Sequence, residues 1–199
     1  ILGCVRWYCK YGISYRELEE MMFERGFTID HTTLYRWVQH YAPIIEKRIR
    51  WYYKPSSGYS WRVDETYIKV KGKWCYLYRA VDKFGKTIDF MLSANRDEAA
   101  ARAFFEKDIG SSGLPEKVVT DKSGSNIAAL DNINLSFFMT GLWPLMIEDI
   151  QVKYLNNIVE QDHRFIKKIT KFTKGFKSFD SAVATLDGIE LHHMLRKKQ

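Results

Sequence analysis

Three carboxylates in this sequence occupy positions from which a carboxylate can do chemistry. Asp64 stands in the middle of the aromatic and β-branched run "WRVDETYIKV", where a charge is costly unless something pairs with it. Asp121 follows the apolar "KVVT", at the carboxyl end of a short strand, the edge at which open α/β sheets place their sites. Glu160 lies in "YLNNIVEQDHRFIKKITKF", among histidine, arginine and lysine. One acid on a central strand, one at a strand end and one on a helix are what a two-metal phosphoryl-transfer site needs. Magnesium takes hard oxygen ligands, and two ions about 3.5–4 Å apart stabilise both the attacking and the leaving oxygen. His163, Arg164 and Lys167 then have a matching task, holding the phosphates of a polynucleotide. Taken alone, Glu160 has a plainer account: a solvated i,i+4 pair with Arg164 contributing about 0.3 kcal/mol. Asp82 and Asp89 compete for a metal role and rank below Asp64 because they flank the turn at Gly85.

Positioning these acids requires strands and one long helix. From Trp61 the sequence reads with period two through "WRVDETYIKV", a "KGK" turn, "WCYLYRAVDKFG" and "KTIDFMLS", which predicts three consecutive strands in a meander. "NRDEAAARAFFEKDI" predicts a helix, "EKVVTD" a short buried strand, and the Glu160 segment a long helix. At about 100° per residue, that last helix places Asn156, Glu160, His163 and Lys167 in one polar stripe. Leu155, Ile158, Phe165, Ile166 and Ile169 then form the opposite, apolar side. Strands with flanking helices make residues 61–199 an α/β domain.

The first fifty residues read as helices instead. "YGISYRELEEMMFERGF" offers Ser14 as a cap with Glu17 three positions on, a capping box, and Gly26 closes the helix. "TIDHTTLYRWVQHYAP" starts at Asp30 or Thr32 and is expected to stop before Pro43. Two short helices joined by a Gly-containing turn are a helix-turn-helix candidate, whose second helix offers Thr33, Tyr35, Arg36 and Gln39 to a DNA groove. An ordinary helical hairpin gives the same pattern. "RWYYKPSSGYS" reads as a linker over 51–60 between this domain (1–50) and the α/β domain.

Composition agrees with these readings. The 199 residues are 46% hydrophobic and carry a formal charge of +7, so a polyanion is a natural partner. Cys4, Cys9 and Cys75 form no C-x-x-C pair, which predicts buried, reduced thiols in a cytosolic protein. No apolar run approaches the length of a membrane helix, and no P-loop lysine motif points to ATP. His192 and His193, without partners at metal-site spacing, read as helix surface. The chain opens inside a helix at Ile1, so an N-terminal truncation is expected.

The runs "SYRELEEMMFERGFTIDHTTLYRWVQ", "WRVDETYIKVKGKWCYLYRAVDKFG", "VVTDK" and "KYLNNIVEQDHRFIKK", in that order, closely resemble transposases of the sixth bacterial insertion-sequence family. The resemblance implies a ribonuclease H-like catalytic domain, a mixed sheet flanked by helices, preceded by the helix-turn-helix domain. It also implies an Asp-Asp-Glu triad of Asp64, Asp121 and Glu160 that binds Mg2+, two ions, with Mn2+ a possible substitute. A metal-activated water then cuts the transposon end, and the freed 3′-hydroxyl attacks target DNA. Lys167 falls where related transposases place a basic residue on the transposon end, and the helix-turn-helix reads the terminal inverted repeats. The implied partners are those repeats, target DNA and further copies of the chain, in the bacterial cytoplasm at the nucleoid.

Three departures accompany the match: Ser123 and Gly124 after "TDK", a longer segment between the second and third acids, and Glu148 and Asp149 where basic residues are usual. A DNA-binding remnant without chemistry is the alternative, and a general ribonuclease H-like nuclease a third.

Overall fold

The computed structural model describes residues 1–53, 60–121, 124–172 and 175–199. Its contacts divide the chain into two units, Ile1–Tyr53 with Lys69–Lys73 and Arg164–Gln199, and Lys54–Ile68 with Trp74–His163. The C-terminal stretch thus groups with the first helices. The expected linker falls partly on α3 and, over 54–59, outside the described residues.

The second unit is built on a five-stranded sheet of order β3-β2-β1-β4-β5, formed from β1 (Ser60–Val70), β2 (Lys73–Asp82), β3 (Thr87–Ser93), β4 (Lys117–Thr120) and β5 (Glu148–Ile150). β2 and β3 are antiparallel, while β4 runs parallel to both β1 and β5, so the sheet is mixed as expected. The predicted meander is β1 to β3. Its first turn takes Lys71 and Gly72 at φ 48° and 79°, a pair of left-handed residues that matches strand twist. Helices α4 (Glu98–Ser112) and α5 (Gly124–Met139) pack on one face, where Phe104, Phe105, Ala129 and Leu130 meet Trp61, Val63, Tyr78, Ala80 and Val118. Asp97 caps α4 by accepting from the Ala100 amide at 2.8 Å.

The first unit is helical: α1 (Leu2–Tyr11), α2 (Tyr15–Phe23), α3 (His31–Tyr53) and α7 (Phe179–Arg196). The Ser14–Glu17 capping box that starts α2 is present with both of its hydrogen bonds. The expectation that the next helix ends before Pro43 fails, because α3 continues through Pro43 to Tyr53. Proline removes one amide from the ladder, but Leu34, Val38 and Ala42 are buried on the same stripe. Packing of that stripe before the proline, continued by the buried Glu46 after it, outweighs the lost bond. Helices α1, α3 and α7 meet closely at Gly188, where an added Cβ would lie 2.5 Å from the Cys9 sulfur and 2.9 Å from the Ala42 Cβ.

Helix α6 (Asn157–Phe172) begins in one unit and ends in the other. Its buried stripe is Val159, His163, Ile166 and Ile169, preceded by Asn156 in the 3₁₀ turn before it. The expected polar stripe is therefore split: Asn156 and His163 turn inward, while Glu160 and Lys167 stay exposed beside them. Both buried polar residues turn inward to bond strand β1. Ile158, assigned to the apolar side, is exposed.

Candidate active site

The strand register brings two of the three acids together. β1 and β4 pair in parallel up to Val63 opposite Thr120, and the next residue on each is Asp64 and Asp121. Carboxylate oxygens of Asp64, Glu65 and Asp121 all lie within 4.8 Å of one another. Glu65 was not expected there, since strand alternation sends neighbouring side chains to opposite faces. Asp64 meets α6, whereas Glu65 meets the side of α4 and α5, and both reach Asp121 at the strand end.

Each acid has a distinct environment. The Asp64 Oδ2 lies 3.1 Å from His163 Nε2, and the other ring nitrogen of His163 is 3.4 Å from an Arg79 guanidinium nitrogen. A guanidinium can only donate, so Nδ1 accepts and the Nε2 proton is donated in a hydrogen bond to Asp64. Arg79 is wholly buried and donates to Asp162 at 2.6 Å. The Asn156 amide donates to the Val63 carbonyl at 3.3 Å, next to Asp64. A chain of buried polar groups thereby anchors α6 to the strand that carries the first acid.

Glu65 is buried, with only 3% of its side chain exposed, and burial pushes its pKa up to about 7. Arg96 opposes that rise from 3.4 Å, while the charges of Asp64 and Asp121 reinforce it. Arg96 also stands 4.0 Å from Asp121, which is itself partly exposed. Asn126, fully buried in α5, faces Glu65 and opposes the rise of its pKa.

The remaining expected residues fall elsewhere. Glu160 is exposed in the first turn of α6, outside the carboxylate cluster, and among the described residues it makes no ion pair with Arg164 or any other cation. It sits four residues after Asn156 and three before His163, the two residues that bond β1 at Val63 and Asp64. His163 is 4% exposed and committed to Asp64, which leaves its ring no surface to offer a phosphate. Arg164 and Lys167 are exposed on α6. In the first unit Tyr35 and Arg36 are exposed and Thr33 half-buried, whereas Gln39 donates to the Thr185 hydroxyl at 2.9 Å. Asp82 accepts from the Phe84 and Lys86 amides, and Asp89 is paired with Lys107 at 2.8 Å, so both serve structure. His193, read as surface, is buried and stacks on Phe165 at 4.2 Å between ring centroids.

The acidic departure from the family pattern also has a local account. Glu148 and Asp149 form the edge strand β5, where Glu148 is 2.9 Å from Lys117 and Asp149 accepts from the Thr120 hydroxyl at 3.0 Å. Their charge is absorbed by β4. The departure at Ser123 lies outside the described residues.

A mixed five-stranded sheet with helices packed against it, Asp64 inside its central strand and Asp121 just past the end of the neighbouring one, has the ribonuclease H-like arrangement. The HTLV-2 integrase catalytic core domain, solved with magnesium in a trimeric form, has the same fold. Its TM-score is 0.51 at 17% identity over 68% of this chain and 84% of that one. A family model described as a DDE domain, DDE_Tnp_IS240, matches residues 58–199. The Staphylococcus aureus transposase for insertion sequence-like element IS431mec is 43% identical over the whole chain, which spans 84% of that protein. The S. aureus transposase for IS257 in transposon Tn4003 is 42% identical over the same span. The chain belongs to the DDE transposase family of bacterial insertion sequences, as the motif resemblance implied.

Proposed function

We propose that the chain binds the terminal inverted repeats of its insertion sequence and cuts and rejoins DNA strands there, with Asp64, Asp121 and Glu160 as the acids that hold divalent cations. The observation that carries this reading is the meeting of Asp64, inside β1, with Asp121, just past the end of the adjacent parallel β4, with His163 fixing the first. The donor set suits a hard cation such as Mg2+ or Mn2+, since carboxylate oxygens of Asp64 and Asp121 lie within reach of one another. When bound, divalent cations there supply Lewis-acid activation of water and stabilise charge on the phosphate oxygens. Two ions fit the family reaction. Glu160, placed on α6 between two residues that bond β1, joins the aspartates from the helix side.

The chain's own residues then have defined tasks. His163 holds the Asp64 carboxylate in one orientation, and Arg96 offsets the repulsion between Glu65 and Asp121. Arg164 and Lys167, exposed one and two turns beyond Glu160, receive backbone phosphates. Thr33, Tyr35 and Arg36 face the repeat, with Gln39 bracing α3 from behind. In the first step water's oxygen bonds the scissile phosphorus and the 3′-oxygen leaves, taking a proton. In the second that 3′-hydroxyl displaces a target 3′-oxygen, one phosphodiester exchanged for another. Several copies of the chain working together fit a reaction that joins two ends. The site acts on DNA wherever DNA is reached, which fits a cytoplasmic, nucleoid-bound protein, and no helix among the described residues is long and apolar enough to cross a membrane.

The test pairs a gel shift with a nicking assay on DNA carrying the inverted repeats that flank the coding region. Asp121→Ala is expected to bind the ends and to leave them uncut with Mg2+. Persistent cleavage would place the chemistry elsewhere, and ends that are bound but never cut by the unaltered chain would favour a DNA-binding remnant.

A further inference from the structure

Glu65 has no role in the reaction as derived, yet it is the most buried acid of the cluster. Its side chain is 3% exposed, one carboxylate oxygen is 3.4 Å from Arg96, and the other is buried without a hydrogen-bond partner. Asn126, also fully buried and near enough to act on the Glu65 carboxyl, presents an amide whose oxygen and nitrogen both lack partners. Buried polar atoms are satisfied in all but a few cases, and an exception beside two other carboxylates points to a missing cationic partner. Arg96 alone does not meet the demand, because it is shared between Glu65 and Asp121 and reaches only one oxygen of Glu65.

We propose that Glu65 is a fourth carboxylate of the cation site, ligating the same divalent cation as Asp64 and Asp121 through its free oxygen. This rests on the cation-binding reading given above. Adjacent acids on one strand usually diverge, but pairing of β1 with β4 stops at Val63 opposite Thr120, and carboxylate oxygens of both Asp64 and Glu65 come within 4.8 Å of one on Asp121 just beyond that point. Arg96 then acts as the counter-ion that keeps the acids together before the cation arrives.

Direct binding of Mn2+ to the full chain, followed by calorimetry and by loss of the free-ion spin-resonance signal, tests this without any turnover. Glu65→Gln keeps size and removes the charge, and should weaken Mn2+ binding at least tenfold while circular dichroism and Tm stay near those of the unaltered chain. Glu65→Asp should fall between the two. Glu65→Gln binding within twofold of the unaltered chain, while Asp64→Asn loses binding, overturns the role of Glu65 alone. No Mn2+ bound by the unaltered chain overturns this proposal together with the cation-binding reading. Arg96→Met separates ligation from pairing: it should leave Mn2+ affinity equal or higher, and a loss matching that of Glu65→Gln means that Glu65 acts only through Arg96. Should Glu65→Gln fail to fold, Glu65→Asp decides the matter, since affinity equal to that of the unaltered chain counts against ligation.

Discussion

His163 donates its Nε2 proton in a hydrogen bond to Asp64 and accepts one on Nδ1 from Arg79, so a wholly buried arginine sets the tautomer of the ring that orients Asp64. His163→Ala should therefore slow nicking of transposon ends by about 10- to 100-fold, the usual loss when such an outer partner goes, with end binding unchanged in a gel shift. Glutamine puts an N–H near the place of Nε2, and His163→Gln should recover part of the rate. Equal rates for the alanine and glutamine variants would remove the orienting role.

Arg79 and Asp162 are a buried ion pair at 2.6 Å. Removing one partner leaves the other charge uncompensated, so Arg79→Met should cost about 3–5 kcal/mol in urea unfolding. Arg79→Met with Asp162→Leu should recover much of that loss. A double variant no better than the single one would assign the cost to the other partners of Arg79.

At Gly188 the crowding by Cys9 and Ala42 decides the sign of a common stabilising change. Alanine in a helix usually gains about 1 kcal/mol over glycine, but overpacking costs about 1–3 kcal/mol. Gly188→Ala is expected to lower Tm, and Cys9→Ala in the same chain to restore part of it. A higher Tm for the single variant would mean that the three helices yield easily.

Gln39 and Arg36 lie on the same helix with different duties. Gln39→Ala breaks the bond to Thr185 and should cost about 1 kcal/mol of stability without changing the salt dependence of end binding. Arg36→Ala should leave stability unaltered and reduce the salt slope by about one. The opposite allocation in a salt titration of the gel shift would reverse these roles.

The sheet was legible where a single periodicity ruled. β1 to β3 stood out as aromatic and β-branched runs broken at Gly72 and Gly85, with burial alternating along Thr66–Val70, and the Ser14–Glu17 box marked its helix start to the residue. α5 and β5 were not foreseen: in "NINLSFFM" polar and apolar residues are mixed around the helix so that no face stands out, and three residues give no period to read. The inward turn of His163 was hidden for a different reason. A helical wheel sorts side chains by polarity, and it cannot anticipate that a buried carboxylate on a distant strand will recruit the polar ones. Glu65 carried a signal that was available, a second acid directly after Asp64 in a strand rich in aromatic and β-branched residues, but it was not singled out. Asp64 and Asp121 stood out because each broke an apolar run, whereas nothing in a chain of letters gives the strand register that sets them side by side.

Helix α7 lies at the far end of the sequence from α1 and α3, yet it supplies Ala182, Leu186, Ile189 and Met194 to the packing of their unit. A stop codon late in the reading frame, well past all three acids, would thus strip the first helices of their apolar cover. Genomic copies whose frame stops just before Phe179 should be cleared by cellular proteases instead of lingering as repressors that occupy the ends of intact elements.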